Sequence, residues 1–278
     1  MAKILTLNTH SWMEDNQDQK LSQLIAALRA EKFDIICLQE INQEITAPEA
    51  TQPKNYTPVA GSPAIATDNF ALTLVTALEE AGLSYHWSWA YIHIGYGKYH
   101  EGVAILSRTP LSPQSVLVSA VDNEFDHHTR RVLVAETTLG DVPVTVCSLH
   151  LSWWDQGFIE EWQVLENYLS NCPRPLVLMG DFNNPTGGPG YDRITTGPLE
   201  LSDSHLKAQH RAGTATISKE IDGWVGNNEE LKVDHIFTTN DFQVASSQVI
   251  FNGENYPVVS DHRGLAVTLT VQYPDTHD

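Results

Sequence analysis

The stretch Pro175-Leu176-Val177-Leu178-Met179-Gly180-Asp181-Phe182-Asn183-Asn184-Pro185 constrains the fold more than any other. Its short apolar run stops at a glycine and is followed at once by Asp-x-Asn and a proline. This reads as a buried strand that delivers a carboxylate and an amide to an open loop, the way α/β enzymes expose chemistry at strand ends. Taken alone, Asp181 and Asn183 would equally suit a turn whose side chains bond their own backbone. The argument for function therefore depends on what other strand ends carry.

Similar apolar runs recur along the chain. Lys3 to Leu7 is strand-like and ends on Asn8, and Asp34 to Gln39 is a second run that ends on Glu40. Between them Leu21, Leu24, Ile25 and Leu28 follow helical spacing, giving the strand-helix-strand opening of a layered α/β domain. The spacing predicts a further helix over 67–81 and another marked by Phe158, Ile159, Trp162 and Leu165. Strands are predicted over 85–94 and from 102 to 107, and a hairpin joins Arg131–Thr137 to Val142–Leu149 through Gly140-Asp141. Val233 to Thr238, Gln243 to Ile250 and Leu265 to Val271 close the chain as strands. The proline-bearing segment 44–62 and the Gly- and Asn-rich segment 187–230 lose periodicity and read as loops suited to specificity. No repeat or linker divides the sequence, so residues 1–278 read as one catalytic domain.

Polar groups thus sit at the ends of several apolar strands: Asn8, Glu40, His150, Asp181 with Asn183, and Asp261 with His262, while Asp234 lies inside another. Each has a structural alternative as a turn residue, a solvated terminus, a core histidine or a cap. Together they make a set of hard oxygen ligands suited to Mg²⁺ or Mn²⁺, with histidines beside carboxylates for charge on phosphate and for proton transfer near neutral pH. The histidines lack zinc-motif spacing.

The segments Leu7-Asn8, Leu38-Gln39-Glu40, Glu101 to Arg108, Ser148-Leu149-His150-Leu151, Gly180-Asp181-Phe182-Asn183, Val233 to Phe237 and Ser260-Asp261-His262 resemble, in order and spacing, the motif series of the endonuclease/exonuclease/phosphatase superfamily. The resemblance implies an α/β (α+β) fold: a four-layer αββα sandwich, two mixed sheets face to face with helices outside. It also implies a role for each position. Glu40 would ligate Mg²⁺ or Mn²⁺, with Asn8 supporting it and Asp261 at or beside the metal. Asp181 and Asn183 would position the nucleophile and the phosphate, Asp181 acting on the attacking water. His262 would contact the phosphate, Asp234 would orient His262, and His150 would face the scissile phosphate. Several nuclease branches place a tyrosine directly before the Gly-Val segment, whereas here the order is Tyr99-His100-Glu101, which leaves those three without an inherited role.

Net charge narrows the substrate. With 16 Lys and Arg against 35 Asp and Glu, the formal charge is −19, which opposes a surface built to hold a nucleic acid. The adjacent basic pair Arg130-Arg131 reads as a clamp for one phosphate or as a solvated strand start. Trp12, Trp153 and Trp224 follow or flank the motifs and are candidates for stacking on a sugar, as well as for ordinary packing. The segments 7–12, 95–102 and 217–224 are similar to those of superfamily members that hydrolyse disaccharide phosphates. The expected substrate is a small phosphorylated sugar, bound by Trp12, His100, Glu101, Trp153 and Trp224. A phosphodiesterase of the nuclease or sphingomyelinase kind is the alternative, and an inactive binding module the remote one. Three cysteines without CxxC spacing, a first apolar run too short for a signal peptide and no run of transmembrane length point to a cytoplasmic protein without a membrane partner.

Overall fold

In the computed structural model, residues 1–272 are described. Two mixed sheets carry the fold. The first has the order β10 (His210–Ala212), β14 (Phe242–Ile250), β15 (Gly264–Val271), β1 (Ala2–Asn8), β2 (Ile35–Glu44), β4 (Tyr99–Ser107), β3 (His86–Gly95). The second has the order β5 (Ser112–Leu117), β6 (Arg131–Leu139), β7 (Val142–His150), β8 (Leu176–Asp181), β13 (Asp234–Thr238), β9 (Ser202–Asp203). A short ribbon pairs β11 (Ile217–Ser218) with β12 (Glu230–Leu231).

Alternate side chains of the central strands face different layers. Ile4, Ile35, Cys37, Val177, Met179 and Ile236 meet between the sheets. Leu5, Leu7, Ile36 and Leu38 point outward against α1 (Gln17–Glu31) and α2 (Phe70–Glu80). Leu176 and Leu178 point outward against α3 (Ile159–Leu169) and α4 (Pro189–Thr195). Strands covered on both faces have no solvent side, so they read as continuous apolar runs. This is the expected four-layer αββα sandwich. The cysteines are free, and no helix among the described residues is long and apolar enough to cross a membrane.

Each sheet contains a central parallel pair, β1–β2 and β7–β8, set among mostly antiparallel neighbours. Parallel neighbours end at the same edge, so Asn8, Glu40, His150 and Asp181 are brought to one end of the sandwich. Antiparallel β13 begins there, with Asp234 in register with Asp181.

Several boundaries differ from expectation. The helix predicted from residue 67 starts at Phe70, because the Asn69 side chain accepts the Leu72 N–H at 3.1 Å and caps it. The strand expected from Gly102 begins at Tyr99. The edge strand β5 was not foreseen: it pairs only with β6 and is partly exposed, so Ser112-Pro113-Gln114-Ser115 carries almost no apolar signal. The segment 187–230, read as loop, also holds α4 and α5 (Ser204–Lys207).

Behind the loop after β8 lies a buried polar network. Lys232 Nζ sits 3.0 Å from Asp203 Oδ2 and 2.7 Å from His235 Nδ1, and His235 Nε2 donates to the Asn184 carbonyl at 3.0 Å. Burial alone would raise the Asp203 carboxyl, but hydrogen bonds from His235 and Lys232 and the Lys232 charge hold it well below the usual range. Such a group contributes stability above its unfolded pKa and loses it as pH falls toward the folded one. Folding free energy should therefore drop as pH falls below about 4, measured by urea denaturation. Asp203→Asn should lose that slope and cost about 3–5 kcal/mol by leaving Lys232 charged, buried and unpaired.

Candidate active site

Register builds the centre of the site. His150, Asp181 and Asp234 lie side by side across β7, β8 and β13. Gly180 permits this: a Cβ there would lie 2.0 Å from the Leu149 carbonyl oxygen of the neighbouring strand, which no side chain tolerates. Asp181 Oδ1 accepts the Asn183 N–H at 2.8 Å, and Oδ2 accepts from Asn8 Nδ2 at 3.2 Å. The same Asn8 amide lies 2.9 Å from Glu40 Oε1, so one asparagine joins carboxylates from both sheets.

Glu40 reaches the site by leaving its ladder. The β2–β4 register shifts between Leu38 and Ile41, and Glu40 takes a left-handed φ of 51°. A bulge of this kind re-aims a side chain at a backbone cost. The result is a buried carboxylate whose Oε2 has no hydrogen-bond partner. Burial first, then the Glu101 and Asp261 charges, pushes its pKa up to about 8.

Two imidazoles complete the centre. His262 Nδ1 lies 2.8 Å from Asp234 Oδ2, and its Nε2 lies 3.6 Å from Asp181 Oδ2. Burial opposes its charge, but Asp234 and Asp181 overcome that and hold the ring protonated well above its ordinary range. His150 Nε2 lies 3.7 Å from the same Asp181 oxygen, yet burial, Arg130 and His262 push its pKa down, so it is neutral. A cationic and a neutral imidazole thus converge on one carboxylate oxygen, at distances that leave it free to engage a third oxygen. The Asp181 carboxyl itself is raised to about 7, by burial first and then by Asp234.

Around this centre opens a cleft of about 360 Å³, lined by Glu40, His150, Asp181, Asn183 and His262 at its floor. Glu101 and Trp153, two of the residues expected to contact substrate, are also in its lining. Trp224 is near as well: its indole N–H donates to Asn183 Oδ1 at 3.0 Å, while Asn183 Nδ2 donates to the Leu151 carbonyl at 2.9 Å. Asp261 stands to one side, its Oδ2 3.8 Å from His10 Nδ1 and its N–H bonded to Glu14 Oε1 at 3.0 Å.

Three expected substrate contacts lie outside the cleft lining: Trp224, which touches it only through Asn183, and Trp12 and His100. The Trp12 indole packs edge-on against Phe70 and donates to the Asp68 carbonyl at 2.9 Å, so it belongs to the core under α2. His100 packs edge-on against Tyr91 across the β3–β4 pair. Trp12 follows the Asn8 motif and His100 directly precedes the Glu101 motif, but a left-handed turn at Trp12 and strand alternation at His100 direct them elsewhere.

The two arginines of the Arg130-Arg131 pair have different surroundings. Only Arg131 behaves as a solvated strand start, paired with Asp122 at 2.6 Å. Arg130 is 3% exposed, lines the cleft, and bonds Ser152 Oγ at 3.2 Å through Nε; no carboxylate among the described residues lies within salt-bridge range. A buried cation without a counter-ion costs several kcal/mol, so its place at a cleft wall points to an anionic ligand. The apolar run that starts at Val132 hid this, since Arg130 lies just before β6, which begins at Arg131.

The model of the Endonuclease/Exonuclease/phosphatase family matches residues 5–262. The chain belongs to this family. Its members are hydrolases that use divalent metals, and the Asp181-Asp234-His262 and His10-Glu14-Asp261 groups offer candidate ligand atoms. Among solved structures, a family protein from Leptotrichia buccalis C-1013-b is 27% identical, with 97% of this chain and 100% of that one covered and a TM-score of 0.84. A mannosyl-6-phosphatase from Bacteroides thetaiotaomicron VPI-5482 is 17% identical over 97% and 100% of the two chains, with a TM-score of 0.67. The human Nocturnin catalytic domain with bound sulfate is 16% identical over 98% and 94%, at 0.65. The last two likenesses show the fold alone. No curated protein matches the sequence.

Asp234→Asn should remove the charge that keeps His262 protonated. The His262 ring should then titrate at lower pH by NMR, and turnover of a cleaved phosphate ester should fall by about 10²–10⁴, with native circular dichroism retained.

Proposed function

We propose that this family member is a divalent-metal-dependent phosphomonoesterase of small phosphorylated sugars, a disaccharide phosphate such as maltose 6'-phosphate being the expected substrate. The observation that carries this reading is the lining of the cleft. Its one arginine, Arg130, faces the carboxylates of Glu40, Glu101, Asp181 and Asp222. A single phosphate can be held there, whereas a polyanion would meet four carboxylates along the lining. The volume suits a small ligand. The formal charge of −19 points the same way.

The residues fit a divalent cation. The unpartnered, buried Glu40 Oε2, in a group whose carboxyl is raised by burial and by neighbouring acids, is the atom that a cation would satisfy. Glu40 would hold Mg²⁺ or Mn²⁺, with Asn8 fixing the carboxylate and Asp261 nearby. The ion would supply Lewis-acid stabilisation of charge on the phosphoryl oxygens.

The remaining work falls to the chain's own groups. Asp181, gripped through both oxygens, orients a water and accepts its proton. The His262 imidazolium, held by Asp234, meets the growing negative charge on the phosphoryl group, and Arg130, which lines the same cleft, binds it as well. Neutral His150 offers Nε2 as a hydrogen-bond donor to the reacting phosphate. Trp153, whose indole N–H is buried without a partner, and Glu101 take the hydroxyl-bearing sugar.

A phosphate-release panel of sugar phosphates, nucleotides and phosphodiesters with Mg²⁺ and Mn²⁺ tests the reading. Sugar monoesters should give the highest kcat/KM, and excess chelator should abolish release. Full activity in chelator, or a preference for diesters, would overturn it. Arg130→Ala should lower kcat/KM by 10-fold or more, as about 1.4 kcal/mol per decade converts the loss of one charged contact worth about 1.5–3 kcal/mol.

A further inference from the structure

Tyr96 and Asp222 come from two separate segments that line the cleft, and their side chains bond each other there. Tyr96 sits in the β3–β4 turn, between Gly95 and Gly97, with a left-handed φ of 54° that turns its ring outward. Its hydroxyl donates to the Asp222 carboxylate, and both residues line the cleft. Since they line the same cleft and bond each other, they tie the β3–β4 turn to the loop between β11 and β12.

That loop is itself fastened to the site. Gly223, at φ 75°, lies so close to Trp153 that a Cβ would come within 2.7 Å of the indole ring. Trp224 donates to Asn183 Oδ1, a group on the catalytic loop. Asn227 Nδ2 closes the base of the loop on the Lys219 and Glu229 carbonyls, at 3.0 and 2.8 Å. The tie is therefore anchored at both ends, although Tyr96 is 47% exposed and gains little by burial there.

We propose that the Tyr96–Asp222 tie is the element that makes this site select monoesters: it closes one end of the cleft, so that a phosphate can enter as the end of a molecule but not as a link within one. The inference rests on the monoesterase reading above. A second ester group on the phosphate would have to leave through the walls that the tie holds together, and the Asp222 carboxylate adds repulsion toward any further phosphate along a chain. Loss of the Tyr96 hydroxyl or of the Asp222 carboxylate frees the loop and opens a path for the second substituent.

The test compares a disaccharide phosphate with the same compound carrying a methyl group on its phosphate, following release of the free sugar in each case. Wild type, Tyr96→Phe, Asp222→Ala and the double variant are assayed with Mg²⁺. Tyr96→Phe keeps the ring and removes only the hydroxyl, so it remains informative if Asp222→Ala disturbs the loop. The expected result is a monoester preference in the wild type and a shift of at least fivefold toward the diester in each single variant, with the double variant shifting no further. A wild type that prefers the monoester with variants that shift less than fivefold would overturn the tie and leave the monoesterase reading standing. A wild type that cleaves the diester better, or neither compound, would overturn both.

Discussion

The carboxylate of Asp181 is the point at which the two sheets become one site. It belongs to the second sheet, yet one of its oxygens is bonded by Asn8 of the first, and the same Asn8 amide holds Glu40. Everything else is arranged around that bridge. A parallel pair in each sheet sends two strand ends to the same edge, and Gly180 lets β8 run close enough to β7 for His150 to stand beside Asp181. The electrostatics follow from the crowding. Four acids and two imidazoles withdrawn from water cannot all keep their solution protonation states, so His262 is driven to the cation and His150 to the neutral form.

Much of this was legible because the chemistry sits where strands stop. Asn8, Glu40, His150, Asp181 and Asp234 are each visible as a polar residue breaking an apolar run, and runs covered on both faces are hard to mistake. Order along the chain then made the set resemble a family, and the family model now matches residues 5–262. What stayed hidden was set by loops and by direction. Nothing local to Trp12 shows that a left-handed backbone turns it toward Phe70, and nothing near Arg130 separates it from its solvated neighbour Arg131. The bond from Trp224 to Asn183 spans 41 positions and has no sequence periodicity to announce it. Edge strand β5 escaped because half-exposed positions do not need to be apolar.

The surroundings of the site divide into two kinds of support. Behind the loop after β8, Asp203, Lys232 and His235 form a buried polar network that grips the Asn184 carbonyl, a mount that contributes to folding as well as to placement. In front, the lining is completed by the β3–β4 turn and by the loop between β11 and β12, which the Trp224–Asn183 bond ties to the loop after β8. A buried backing with a lining made of loops is what allows one scaffold to keep its phosphoryl-transfer geometry while the material that meets the leaving group varies.

The left-handed backbone at Glu40 carries a further meaning. A non-glycine residue held there costs on the order of 1–3 kcal/mol, and a buried carboxylate oxygen, Oε2, without a partner adds to the penalty. Glycine at that position would relieve both, so stability alone does not account for a glutamate there. A screen for thermal stability that ignored catalysis should find substitutions at residue 40 among its winners. The bulge is thus a debt carried by the scaffold on behalf of the chemistry, and the size of that debt measures how far this structure departs from the most stable version of itself.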